Sequence, residues 1–360
     1  MKVLHISPTW FGDGSVVGGA ERYALELARA CAAVTPTTLL SFAARPSTHH
    51  DEALRVRLIG QLPFRHAPLA GNPLHPALYA EIRRADVVHC HQVDTFATNA
   101  AVLAGAMLGK RVFVSDLGGG HMYAPSLKLP VLSRAQGLLL LSAYSKALWD
   151  QAPAWRRPAR IDVIYGGVDL ARFRPGAAHV ENQVLFVGRV MRHKGVEHAI
   201  AAVRPPMRLI VAGRPYDPEY GAMLRAAAGQ GVEFRERVAD DELPMLYGQS
   251  VATVVPSVYR AWGGGETPVP ELLGLVALES MACGTPPIVT AVASLPELVE
   301  DGVTGFVVPP NDPRAIAEAI DVLVRDPARR AEMGRRGRAS VDARFTWAAT
   351  AARCLGAYES

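Results

Sequence analysis

Pro270-Glu271-Leu272-Leu273-Gly274-Leu275-Val276-Ala277-Leu278-Glu279-Ser280-Met281-Ala282-Cys283-Gly284-Thr285-Pro286 sets two carboxylates eight positions apart, one before Gly274 and one inside an apolar run that closes at Cys283-Gly284. The run has the length of a short helix. Its opening turn at Gly274-Leu275 presents backbone N–H groups that have no partner within the helix, together with the positive end of the helix dipole. A chain holds phosphate this way without any side chain. Gly274 leaves room for an anion, Glu279 sits about one turn deeper, within reach of a ribose or sugar hydroxyl, and Glu271 lies on the other side of the same anion. A ligand that is both a phosphate and a polyol suits that set. Taken alone, a pair of glutamates is more often the wet face of a surface helix, so the surroundings decide.

Those surroundings are strands. Val251 to Val255 precedes the stretch and Pro287 to Thr290 follows it, both short and apolar. Further out, Val184 to Val187 reads as a strand, Gly195 to Val203 as a helix, Arg208 to Ala212 as a strand, Ala222 to Ala228 as a helix, Val232 to Phe234 as a strand and Asp241 to Tyr247 as a helix. Behind come the short strand Gly305 to Val308 and helices to the end, with a break near Arg344. The first half repeats the alternation: strands at Lys2 to Ser7, Thr37 to Phe42, Asp86 to Cys90, Arg111 to Ser115, Gly137 to Ser142 and Arg160 to Ile164, and helices at Ala20 to Ala33, Thr95 to Met107 and Ala143 to Asp150. Nearly continuous apolar strands alternating with helices imply parallel sheets covered on both faces. The expected fold class is α/β, with a Rossmann-like domain over 1–170, a Gly- and Pro-bearing linker over 171–183 and a second Rossmann-like domain over 184–340. A C-terminal helix over 341–360 is placed to cross back onto the first domain. Two such domains imply a central cleft, with ligands beyond the carboxyl ends of the strands.

Composition narrows the class. At 360 residues, 49% hydrophobic and 20% charged, the chain can bury two cores and is not disordered. No apolar run reaches a membrane span and the N-terminus has no signal-peptide pattern, so a cytoplasmic protein with no transmembrane segment is expected. Cys31, Cys90, Cys283 and Cys354 show no paired spacing and read as buried thiols. The Arg-rich run from Arg325 to Arg344 is interleaved with Asp326, Glu332 and Asp342, the pattern of a solvated helix face, and no nucleic-acid signature accompanies it.

Other strand ends carry candidate chemistry. Val184 to Val187 delivers Gly188-Arg189 and then Lys194-Gly195 before a helix, two cations placed to clamp a diphosphate and to offset charge on a leaving phosphate. The loop from Ser7 to Arg22 has neither the dinucleotide fingerprint nor a Walker pattern; Gly18 and Gly19 admit a phosphate or sugar, or simply a turn. His89 and His91 share one face of a strand but lack a third ligand, which favours core or cleft-lining histidines over a metal pair. Asp116-Leu117-Gly118-Gly119-Gly120-His121 follows another strand, where Asp116 or His121 can meet sugar hydroxyls. With no Asp-x-Asp pattern to anchor a divalent ion, neither a metal nor a resident cofactor is expected.

Together, Gly18-Gly19-Ala20-Glu21-Arg22, Tyr165-Gly166-Gly167-Val168-Asp169-Leu170 with Phe173 and Pro175, Phe186-Val187-Gly188-Arg189 with Lys194-Gly195, the Glu271 and Glu279 pair, and Pro296-Glu297-Leu298-Val299 with Gly302-Val303-Thr304-Gly305-Phe306-Val307 resemble the retaining glycosyltransferases of family 4. The resemblance covers nearly the whole chain and implies the GT-B fold. It implies a nucleoside-diphosphate sugar held by the second domain: Arg189 and Lys194 on the diphosphate, the backbone of Gly274 and Leu275 capping it, Glu279 on the ribose and Glu271 on the donor sugar. Gly18 and Gly19 approach the donor from the first domain, whose other loops hold the acceptor. The implied reaction retains configuration, without a dedicated general base, because a leaving-phosphate oxygen takes the acceptor's proton.

Two departures stand out. Where many relatives carry a His in the first domain, this chain has Leu117, and His121 is the candidate substitute among the implied catalytic residues Glu271, Arg189 and Lys194. An extra loop, Val258 to Pro270, intervenes before Glu271; it resembles a subset of the family from natural-product and antibiotic pathways. The leading expectation is transfer of a hexose, such as N-acetylglucosamine, from a UDP-sugar to a small-molecule hydroxyl. The alternatives are a catalytically inactive nucleotide-sugar-binding partner and a pseudo-glycosyl coupling enzyme or epimerase on the same scaffold.

Overall fold

The first sheet runs β3-β4-β2-β1-β5-β6-β7-β8. Its strands are β1 (Val3–Ile6), β2 (Thr37–Phe42), β3 (Ser47–Asp51), β4 (Leu54–Ile59), β5 (Val87–His91), β6 (Arg111–Ser115), β7 (Gly137–Leu140) and β8 (Arg160–Val163). All pairings are parallel except β3 with β4. The computed structural model describes residues 1–9, 18–60, 73–118, 125–176, 180–267 and 270–360. It divides into two units, Met1–Gly167 with Trp347–Ser360, and Val168–Thr346.

Period-two alternation sends one set of side chains to each face of this sheet. Leu4, Ile6, Leu40, Val88, Cys90, Val112, Val114, Leu138 and Leu140 form one core with Leu78 and Ile82 of the helix Ala77–Arg84, with Ala97, Ala101 and Val102 of the helix Phe96–Met107, and with Trp149. On the other face, Leu39, Val56 and Leu58 pack under Leu25 and Ala28 of the helix Gly19–Ala32. That face also carries His5, His89 and His91, all fully buried. The helix Trp347–Glu359 belongs to this unit and seals the histidines: Tyr358 Oη is 2.6 Å from His89 Nδ1, and the Trp347 ring meets Tyr23 edge-on at 5.4 Å. A Thr350 hydroxyl donating to the carbonyl of Tyr165 at 3.0 Å fixes its entry.

The second sheet is all parallel, in the order β11-β10-β9-β12-β13-β14. Its strands are β9 (Gln183–Val187), β10 (Arg208–Ala212), β11 (Val232–Arg235), β12 (Ala252–Val255), β13 (Pro287–Thr290) and β14 (Phe306–Val308). The chain winds outward from β9 to β11 and then restarts on the other side at β12. The loops after β9 and β12 therefore leave neighbouring strands in opposite directions, the switch point at which such sheets bind ligands. The helix Pro327–Arg344 lies so close on the helix Leu275–Ala282 that a Cβ at Gly334 would come 2.1 Å from the carbonyl oxygen of Gly284.

Several boundaries differ from expectation. The strands β3 and β4 and the helix Ala77–Arg84 were not expected; β3 is almost wholly exposed and shows no apolar alternation. The helix expected from Ala222 starts at Pro218, where the Asp217 side chain accepts the Tyr220 N–H at 3.1 Å and caps the first turn. Residues 171–176 and 180–183, within the stretch expected as a linker, cluster with the second unit, where Phe173 is buried against Tyr247. In the basic run, Arg336 pairs with Glu332 at the surface, while Arg330 is buried with its guanidinium on the Leu323 carbonyl.

Candidate functional site

The site is built at the mouths of β9 and β12. Gly274 caps the helix Leu275–Ala282 in the left-handed region, at φ 63°, with no side-chain cap of its own. A Cβ there would sit 2.7 Å from Leu298 Cδ1 and 3.1 Å from Leu295 Cδ2, so both backbone and packing demand glycine. The cap falls to Glu271, whose Oε1 accepts the Gly274 N–H at 3.3 Å. Its other oxygen accepts from Lys194 Nζ at 2.6 Å. Both side chains are 16% exposed. Burial by itself raises a carboxyl's pKa, but the Lys194 charge and hydrogen bond and the Gly274 N–H outweigh it and hold Glu271 below the ordinary glutamate range.

Lys194 ends the short turn Arg192–Lys194, and Gly195 follows at φ 60°. A Cβ at Gly195 would lie 2.2 Å from the Pro256 carbonyl oxygen, so glycine is what lets the β9 loop press against the β12 loop. Between them His193 is half-buried, its imidazole pushed down to about 4 by burial and by the nearby Lys194 and Arg189 charges, with Glu271 opposing. Arg189 is exposed at the same strand end and has no ion-pair partner among the described residues. Glu279, 6% exposed, lies further along the helix, where its Oε2 accepts the Tyr247 hydroxyl at 2.7 Å.

The structure thus brings Lys194, Glu271, Gly274 and Leu275 into one turn assembly, with Arg189 exposed near His193 and Glu279 further along the helix. The Tyr247 partner of Glu279 was missed, since it lies on a different helix, Leu243–Gln249, with no motif of its own. Gly18 and Gly19 start the helix Gly19–Ala32 in the first unit, Gly18 as its extended N-cap. Asp116 has both carboxylate oxygens engaged, one by Trp149 Nε1 at 2.9 Å and one by the Gly118 N–H at 3.0 Å. His121 lies outside the described residues. At the end of β5, Gln92 and Asp94 adopt positive φ values, 113° and 47°, and the buried Asp94 accepts from Ser126 Oγ at 2.9 Å and pairs with Arg156. Their only sequence signal was position, at the mouth of a parallel strand.

His5, His89 and His91 each place a ring nitrogen within 4.8 Å of the others, near enough to share a metal ion. His5 is thus the third histidine the sequence reading did not find; four of the six ring nitrogens are engaged, and His5 Nε2 and His91 Nδ1 are buried without a hydrogen-bond partner among the described residues. His5 Nδ1 faces His91 Nε2 at 2.8 Å, and His89 is held by Tyr358 and, at 2.8 Å, by Ser115. Burial pushes His5 down to about 3 and the other two well below the usual range, so all three are neutral core groups.

Residues 17–172 match the family described as Glycosyltransferase Family 4, and residues 168–340 match Glycosyl transferases group 1. The chain is 30% identical to the alpha-maltose-1-phosphate synthase of Mycolicibacterium smegmatis over 273 residues, 68% of each chain. It is 37% identical to the D-inositol 3-phosphate glycosyltransferase of Mycobacterium avium over 220 residues, 56% of this chain and only 49% of that one. Anabaena HepE, solved with UDP and glucose, shares the fold with a TM-score of 0.75 at 18% identity, over 100% of this chain and 99% of that one.

Proposed function

This chain belongs to the group 1 glycosyl transferases, with a family 4 first half, and from that premise we propose that it transfers a hexose from a UDP-sugar to a hydroxyl of a small acceptor. One observation carries the donor half of this reading. The half-buried Lys194–Glu271 pair closes on the left-handed Gly274 turn at the switch point of the second sheet. The free N–H groups of the turn and the positive end of the dipole receive a phosphate, and Lys194 and Arg189 supply two cations beside it. Glu271, kept ionised, is an acceptor for sugar hydroxyls and a poor proton donor. Glu279, oriented by Tyr247, takes the ribose.

In the proposed retaining step, the acceptor oxygen bonds to the anomeric carbon on the face from which the diphosphate leaves. The carbon–oxygen bond to UDP breaks, its electron pair goes to the diphosphate, and the acceptor's proton passes to a departing phosphate oxygen. The negative charge that develops falls where Lys194, Arg189 and the helix terminus point, so the chain's own groups carry it without a divalent ion. The UDP bound to Anabaena HepE supports the choice of base. Both curated relatives are named for phosphorylated sugars or polyols, which directs the acceptor search to small phosphorylated polyols ahead of natural-product precursors.

The test is calorimetric titration of UDP, GDP and ADP with EDTA present, then incubation of the tight-binding nucleotide's hexoses with a panel of sugar and cyclitol phosphates. UDP binding without metal, lost in Lys194→Ala, and release of UDP only when an acceptor is present support the reading. Tight UDP binding with no turnover on any acceptor points to the inactive partner protein.

A further inference from the structure

Between β12 and Glu271 the chain makes an excursion for which the proposed reaction has no use. Residues 259–267 fold back on themselves: the Thr267 N–H donates to the Tyr259 carbonyl at 2.8 Å, the Ala261 N–H to Gly265 at 2.7 Å, and Arg260 bridges Glu266 in antiparallel fashion. Gly263 and Gly264 make the turn at φ 83° and 84°.

This hairpin is held at four points. At its base, the Val258 N–H donates to the His193 carbonyl at 2.9 Å. At its tip, the half-buried Trp262 ring lies against the Arg192 guanidinium, 4.7 Å from carbon to ring centre, and 6.0 Å from the Tyr220 ring. On its flanks, the Ala293 N–H donates to Tyr259 Oη at 2.8 Å, and Asn311 Nδ2 donates to the Arg260 carbonyl at 3.2 Å. Arg192 is itself gripped by Asp217 at 2.5 Å and Glu219 at 2.6 Å. A planar guanidinium fixed by two carboxylates on one side and an aromatic face on the other cannot swivel. Arg192 and His193 immediately precede Lys194, and Thr267, the last residue of the hairpin, stands four positions before Glu271 in the chain. The hairpin therefore ties together the two partners of the Lys194–Glu271 pair, which lie 77 residues apart.

Resting on the donor reading above, we propose that Trp262 and Arg192 are positioning residues that set which hexose of a UDP-hexose is accepted. The division of labour follows from the stems. Lys194 reaches its phosphate on a flexible four-carbon chain and tolerates a small shift of its turn, and Arg189 and the N–H groups of the helix start at Leu275 hold the diphosphate without the hairpin. Glu271 has a short stem, and discrimination among sugar hydroxyls depends on its placement to within a fraction of an ångström. Loosening the hairpin thus blurs sugar selection while leaving the grip on UDP.

The experiment titrates UDP, UDP-glucose, UDP-galactose and UDP-N-acetylglucosamine into the full-length protein and into Trp262→Ala, Trp262→Phe and Arg192→Ala, with circular dichroism confirming each fold. In the wild type the three UDP-sugars separate in Kd. Trp262→Ala and Arg192→Ala shrink the ratio between best and worst sugar by about fivefold or more, while Kd for UDP changes less than about twofold. Trp262→Phe, which keeps a ring for the guanidinium, restores the wild-type ratio. Arg192→Ala cuts the same contact from a half-buried side chain at the surface and decides the matter if Trp262→Ala does not fold. Equal affinity for all three sugars in the wild type, unchanged ratios in the variants, loss of UDP affinity in step with the sugars, or a Phe variant no better than Ala each overturns the positioning role. A wild-type protein that binds neither UDP nor its sugars overturns the donor reading itself, and this inference with it.

Discussion

Lys194 Nζ sits 2.6 Å from Glu271 Oε2, and the other oxygen of the same carboxylate caps the Gly274 turn, so one half-buried ion pair and one helix start form a single electrostatic unit. Removing either partner leaves the other half-buried without its counter-charge, which costs more than the pair contributes.

Lys194→Ala is therefore expected to destabilise the protein by about 1–3 kcal/mol, below the range for a fully buried pair because each side chain retains some exposure. Urea unfolding measures it. The double variant Lys194→Met with Glu271→Gln recovers most of that loss while binding UDP-sugar no better than Lys194→Ala. A double variant as unstable as the sum of the singles would show that the two residues do not act as a pair. The pH dependence follows the depressed carboxyl. Glu271 contributes its stability above its unfolded pKa near 4.5, and this is lost as pH falls through that value toward the lower folded one.

Acid destabilises the first unit earlier, through the histidine core. His5, His89 and His91 are held neutral in the fold, each keeping a single ring proton, and each gains a second on unfolding once pH falls below about 6.5. The unfolded chain then binds more protons, so stability is present above that pH and lost below it. The slope approaches about 1.4 kcal/mol per pH unit for each histidine, roughly 4 for three. Between pH 6.5 and 5 the depressed carboxylates do not yet titrate, so in this window the buried histidines dominate, with His193 of the second unit, pushed down to about 4, adding its own share. Thermal melts from pH 7.5 to 5.0 are expected to show a steep fall in Tm, with His91→Gln flattening it while lowering Tm at pH 7.5. A Tm flat down to pH 5 would mean that the histidines are protonated, or hydrated, in the fold.

The parts legible in the sequence were those whose signal is local. Parallel strands such as Val184 to Val187 and Val251 to Val255 announce themselves because both faces are buried and the run is almost wholly apolar. Glu271, Gly274 and Glu279 could be read together because they are neighbours in the chain around one helix start. What stayed hidden depends on distance in sequence. Nothing at Tyr247 points to Glu279, nothing at Trp262 points to Arg192, and the tyrosine that seals His89 sits 269 residues further on. The exposed strand Ser47–Asp51 was invisible for a different reason. Its partner β4 supplies the pairing, and its own side chains bury almost nothing.

Tyr247 and Glu279 offer a test of the ribose role that separates chemistry from packing. Tyr247 is fully buried, and its hydroxyl donates to Glu279 at 2.7 Å, so Tyr247→Phe keeps the ring in place and removes one charge-assisted hydrogen bond. The carboxylate is left buried with one fewer donor, at a cost of about 1–3 kcal/mol in unfolding free energy. If Glu279 takes the ribose hydroxyls, the same variant weakens UDP more than it weakens inorganic diphosphate, because the ribose contact is the one that loses its orientation. A loss of about three- to tenfold in UDP affinity with diphosphate affinity unchanged is the expected result, read by calorimetry at pH 7.5. Comparing UDP with its 2′-deoxy analogue closes the argument. Wild type prefers the ribose form, and Tyr247→Phe loses part of that preference. A variant that keeps the full preference, or that weakens UDP and diphosphate alike, makes the Tyr247–Glu279 bond a structural brace of the helix and removes Glu279 from the ribose site.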